Sequence, residues 1–115
     1  MPIPSEIERL IKKLTQELTF IEQQTTEGID VLRPSLSRFP DNLRLIRFFS
    51  LPNNILLFVE ILRRRIQAII ERVSTFDVTI EEIQKSGEDF SSLLGQVLET
   101  KIEVINIIEV LRKLS

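Results

Sequence analysis

Apolar side chains recur along this chain at alternating steps of four and three, over stretches longer than a short helix requires. Ile55, Val59, Leu62, Ile66, Ile69, Val73, Phe76, Ile80, Ile83, Phe90, Leu94 and Val97 share that spacing, and only Gly87 interrupts it. Such spacing places one side chain per turn on the same face, so the pattern predicts long helices that bury a stripe against one another. A second run, Ile7, Ile11, Leu14, Leu18, Ile21, Thr25, Gly28 and Leu32, repeats the pattern near the start.

Capping and breaking residues divide these runs into helices. Ser5 and Glu8 have capping-box spacing and predict a first helix over 5–32, ended by Pro34. Residues 33–40, with two prolines and two serines, read as a loop. Asp41 can cap a short helix over 41–50 carrying Leu43, Ile46 and Phe49, and Pro52 breaks or kinks what precedes it. Asn53 or Asn54 then opens a helix over 53–86. A turn at Ser86-Gly87-Glu88-Asp89 separates it from a last helix over 88–114, because Gly suits a helix end and acids suit a helix start. Two alternatives remain at this point. One is an unbroken helix over 53–114, roughly 90 Å long at 1.5 Å per residue. The other is a break at Ser74-Thr75-Phe76-Asp77, with Thr79 and Glu82 offering a second capping box.

The last helix carries Leu94, Val97, Leu98, Ile102, Ile105, Ile108 and Leu111 on its stripe. Val104, Ile107 and Val110 fall off that stripe, as do Leu56, Leu57, Ile61 and Ile70 on the preceding helix. Burying one such aliphatic side chain contributes roughly 1.5–3 kcal/mol, so these seven residues are the expected contact surface of a homodimer. The fold expected is all-α: an antiparallel bundle of three to four helices with coiled-coil-like heptad packing, one domain spanning residues 1–115, paired as a dimer.

Composition narrows the chemistry more than it identifies it. The 115 residues are 43% hydrophobic and 28% charged, within the globular range. There is no His, Cys, Tyr or Trp. Disulfides and thiolate metal sites are therefore excluded, and Ser91, Ser92 and the threonines have no imidazole to activate them. The expectation is a non-enzymatic chain without a cofactor or metal. The longest uncharged apolar-rich stretch, residues 48–59, has 12 residues including Pro52, Asn53 and Asn54, and a membrane-spanning helix needs about 20. Glu6 and Glu8 near the start also argue against a secretion signal, so the chain reads as cytoplasmic.

Charge adds a second pattern. Residues 33–72 carry eight Arg against Asp41, Glu60 and Glu71, while the flanking segments are acidic and the whole chain is −2. A basic middle between acidic neighbours suits a chain folded back on itself. Arg63, Arg64, Arg65 and Arg72 are the candidate contact for phosphate or anionic lipid, and Arg33, Arg38, Arg44 and Arg47 could enlarge it if the loop folds over. Three consecutive helical residues fan across about 200°, however, so the expected role of the triplet is a solvated or acid-paired face. Glu81, Glu82, Glu88 and Asp89 are the carboxylates that could serve acid–base or metal chemistry, and capping explains them more simply. Phe48, Phe49, Leu56, Leu57 and Phe58 crowd around Pro52, and read as the closed end of the core rather than an interfacial membrane segment. The function expected is a helical protein–protein interaction or scaffold module that self-associates. The alternative is binding of nucleic acid or an anionic membrane surface through the Arg-rich middle helix.

Overall fold

The computed structural model describes residues 3–75 and 77–114, and among them every regular element is a helix. Helix α1 spans Ser5–Arg38, α2 spans Leu43–Val73 and α3 spans Ile80–Leu114. Helices of 34, 31 and 35 residues are each roughly 46–53 Å long at 1.5 Å per residue. The molecule measures 57 × 19 × 16 Å, so all three lie along its length. Cross-helix neighbours give the directions. Ile7 lies by Gly87, Glu17 by Lys101 and Gly28 by Ile108, so α1 and α3 run parallel. Helix α2 returns antiparallel alongside both, with Arg63 beside Glu22 and Arg72 beside Asp89.

Three boundaries differ from the sequence expectation. The short helix over 41–50 and the helix opening at 53 are one element, because α2 runs through Pro52. Likewise α1 runs through Pro34 and ends at Arg38, not at 32. A proline inside a helix removes one backbone hydrogen bond, and here packing outweighs that loss: Pro52 is buried. Near it Asn53 Nδ2 donates to the Phe49 carbonyl at 2.7 Å. The third correction concerns Gly87, which lies in the interior of α3 with Ser86, Glu88 and Asp89. The turn falls between Val73 and Ile80 instead, where Thr79 and Glu82 cap each other. Thr79 Oγ1 accepts from the Glu82 N–H at 3.1 Å, and the Glu82 carboxylate accepts from the Thr79 N–H at 3.3 Å. Two reciprocal bonds outweigh the weak preference of one glycine for a helix end. At the other end of the sequence the Ser5–Glu8 box does not form. Pro4 precedes α1, and its carbonyl accepts from Ile7 and Glu8 at 3.1 Å each.

The core follows the first stripe closely. Ile7, Leu14, Leu18, Ile21, Thr25, Gly28 and Leu32 are buried, and Ile11 is half-buried against them. Val59, Leu62, Ile66, Ile69 and Val73 are the buried face of α2, with Ile55 half-buried. Phe76 lies outside the described residues. On α3 the seam is Ser86, Phe90, Leu93, Val97, Val104, Ile108 and Leu111, and Ile80 is exposed. Leu98, Ile102 and Ile105, expected inside, face solvent.

Candidate interaction surface

In the second half of α2 the arginines are spread around the bundle, with Arg63, Arg64 and Arg72 matched with acids and Arg65 in no ion pair among the described residues. Arg63 reaches α1, where a guanidinium N–H donates to Thr19 Oγ1 at 3.4 Å and Glu22 lies 3.7 Å away. Arg64 pairs with Glu60 one turn back on its own helix. Arg72 faces α3, 3.7 Å from Asp89, and Arg65 lines the shallow groove beside that pair with Ile69 and Gln96. Arg63, Arg64, Arg65 and Arg72 therefore do not gather into one anion site. Each partly exposed pair is worth about 0–1 kcal/mol and serves mainly to select neighbours.

Arg33, Arg38, Arg44 and Arg47 occupy a different place, around the turn that joins α1 to α2. They do not fold over the triplet, since Arg47 and Arg63 are roughly 24 Å apart along α2 at 1.5 Å per residue. All four are exposed, and among the described residues none stands in an ion pair. Asn42 sets this turn: its side chain accepts from the Arg44 and Leu45 N–H groups at 3.0 and 3.2 Å. Phe39 and Leu43, on either side of the turn, are 55% and 70% exposed. Arg44, Arg47, Phe48 and Leu51 line a concavity of about 280 Å³ on the same end.

The seven aliphatic residues expected at a dimer contact do not share one face. Val104 is 1% exposed and belongs to the core, because α3 is rotated relative to the stripe expected for it. Ile70 and Ile107 are half-buried against the core. Leu57, Ile61 and Val110 are exposed, while Leu56 is half-buried about 140° around α2 from Ile61. Two apolar faces result. Leu57 and Ile61 follow at i and i+4 on α2, beside a groove walled by Ile55, Phe58 and Ile107. Leu98, Ile102 and Ile105 form a continuous four-and-three stripe on α3, with Ile102 62% exposed. Among the described residues α2 alone is long and apolar enough to cross a membrane by length and composition, with 22% of its apolar window buried. Counting only the uncharged run over 48–59 misses this, because the helix continues through Pro52 and past Glu60.

The reason α3 rotates lies at its centre. Lys101 occupies the seam position between Val97 and Val104, and it reaches Glu17 of α1, which is 7% exposed. The Lys101 ammonium lies 2.9 Å from Glu17 Oε2 and the Lys13 ammonium 3.0 Å from Oε1. Oε2 is shut away from solvent, so the Lys101 ammonium is the group that compensates it. The same ammonium sits 4.9 Å from the centre of the Phe20 ring. Lys101 and then Lys13 hold the Glu17 carboxyl below its ordinary value, against the opposing effect of burial. The signal available in the sequence was the pair of charges at seam positions, Glu17 beside Leu14, Leu18 and Ile21, and Lys101 between Val97 and Val104.

Of the four acids considered for chemistry, Glu82 caps α3 and Asp89 pairs with Arg72. The described residues hold no group of three carboxylates suited to a metal ion. Comparison with protein-family models, curated proteins and solved structures yields no match.

Proposed function

We propose that this chain is a non-enzymatic helical interaction module that self-associates as a homodimer and docks other helices along its exposed apolar faces. The observation that carries this reading is the stripe of Leu98, Ile102 and Ile105 on α3. A helix whose inner seam is already filled, yet which keeps a second stripe at helical spacing, offers a partner helix an apolar face against which to pack. Large aliphatic side chains in a row are costly to leave in water, and adjoining apolar surface of this kind marks association sites. The absence of His and Cys from the sequence supports a binding role over catalysis.

Light scattering on the purified chain tests the proposal. The expected mass is twice 13.4 kDa at micromolar concentration. Leu98→Glu with Ile102→Glu should halve the mass while helical circular dichroism is retained, since both side chains are exposed. A wild-type mass of 13.4 kDa across that range overturns self-association.

A further inference from the structure

We infer that the α1–α2 turn docks on the surface of an anionic phospholipid bilayer, with Phe39 and Leu43 entering the interface and Arg33, Arg38, Arg44 and Arg47 meeting the headgroups. This site is separate from the α3 stripe and stands whether or not the chain is a dimer.

Charge complementarity selects the occupant. Residues 33–51 contain four Arg against Asp41 alone, while the rest of the chain carries eleven basic against sixteen acidic residues. The turn segment is thus net +3 while the remainder of the chain sums to −5, an asymmetry that orients the molecule toward a negative surface. What separates these four arginines from Arg63, Arg64 and Arg72 is pairing: the latter face Glu22, Glu60 and Asp89, whereas the turn arginines have no acid partner among the described residues. Apolar exposure then separates a bilayer from other polyanions. Phe39, Leu43, Ile46 and Leu51 are all exposed within this same segment. A nucleic-acid backbone has no use for four such side chains interleaved with arginine, whereas an interface accepts the apolar groups between headgroups while the guanidinium groups stay at the phosphates. The concavity between Arg44, Arg47, Phe48 and Leu51 has both linings that one headgroup and the top of its acyl chain would meet.

The test is co-sedimentation of the full chain with vesicles of phosphatidylserine and phosphatidylcholine in equal parts, beside vesicles of phosphatidylcholine alone. Wild type should partition onto the anionic vesicles, less so as salt is raised, and stay in solution with neutral ones. Arg44→Gln with Arg47→Gln should weaken partitioning roughly 25-fold, taking each arginine near the surface at its usual electrostatic worth. Arg64→Gln should leave it unchanged. Because the chain has no Trp, Phe39→Trp supplies a single reporter whose emission should shift to the blue on anionic vesicles. All of these positions are exposed, so circular dichroism should match wild type. Absence of partitioning, an equal loss with Arg64→Gln, or indole emission from the Phe39→Trp variant that vesicles leave unchanged overturns the inference. So does duplex DNA competing the protein off the vesicles while Leu43→Ser has no effect, which would assign the turn to nucleic acid.

Discussion

Lys101 on α3 lies 2.9 Å from the carboxylate of Glu17 on α1, and this pair sets how the two parallel helices face each other. Glu17 is buried, so its charge is tolerable only where Lys101 and Lys13 converge on it. Rotating α3 by about 100°, one residue, would carry Lys101 away and bring an aliphatic neighbour against the carboxylate. The pair therefore acts more as a register pin than as a source of stability. Lys101→Met should cost about 1–2 kcal/mol in urea unfolding, less than for a fully buried pair because Lys13 remains. Glu17→Leu combined with Lys101→Met should recover the wild-type midpoint or exceed it. A double variant weaker than either single change would contradict this account.

The same carboxylate predicts a pH dependence. Its native value is lowered from the ordinary 4.5, so the unfolded chain takes up that proton more readily than the folded one. The stability Glu17 contributes is complete above 4.5 and is lost as pH falls through the lowered native value. Urea midpoints measured from neutral to acidic pH should fall more steeply for wild type than for Glu17→Gln. Parallel curves for the two proteins would show that Glu17 does not titrate differently on folding.

Much of the architecture is legible in the sequence because burial obeys helical spacing. The stripe from Ile7 to Leu32 is the inner face of α1, and Val59 to Val73 is that of α2. The departures have a common cause: local residue preferences are small beside tertiary packing. Pro34 and Pro52 each remove one hydrogen bond and do not stop their helices, Pro52 being itself buried and Pro34 lying just past the buried Leu32. On α3 the apolar residues Leu98, Ile102 and Ile105 have the spacing of a seam, and what marks the true seam is a matched charge, Lys101 between Val97 and Val104, whose partner Glu17 lies on another helix. Ion partners are likewise set by register, so the pairing of Arg63 with Glu22, and the lack of an acid for Arg44 among the described residues, cannot be read from the sequence.

Gly87 offers a sharp check on where the chain turns. In a helix interior, Ala is better than Gly by roughly 0.5–1 kcal/mol. A Cβ at Gly87 would lie 3.9 Å from Ile7 Cγ1, an ordinary contact, and one at Gly95 would meet nothing within 4 Å. Gly87→Ala and Gly95→Ala should therefore each raise the thermal midpoint. A Gly87 at a helix end with left-handed backbone would give the opposite sign on substitution.

The two capping sequences should respond unequally. Thr79 and Glu82 exchange two hydrogen bonds at the start of α3, so Thr79→Ala should cost about 1 kcal/mol. Ser5 makes no such bond, and the first N–H groups of α1 are met by the Pro4 carbonyl. Ser5→Ala should leave the urea midpoint within about 0.5 kcal/mol of wild type. Equal losses at both sites would mean that the Ser5–Glu8 box forms in solution.

Gly28 of α1 packs directly against Ile108 and Leu111 of α3, and it yields the most specific prediction. A Cβ there would overlap Ile108 Cδ1 and sit 3.2 Å from Leu111 Cδ1. Gly28→Ala gains helix propensity, about 1 kcal/mol, but forces a buried isoleucine methyl to move, and overpacking of this kind costs about 1–3 kcal/mol. The net effect should be destabilising. Ile108→Val removes the obstructing Cδ1 atom, at a cost of about 0.5–1.5 kcal/mol when made alone. Together the two changes should be more stable than the sum of their separate costs, because the propensity gain survives while the overlap is gone. A double-mutant cycle by urea denaturation measures that coupling directly. Strict additivity would mean that the helices already stand far enough apart at residue 28 to admit a methyl group, and that α1 and α3 are not held together as tightly as the Gly28–Ile108 contact implies.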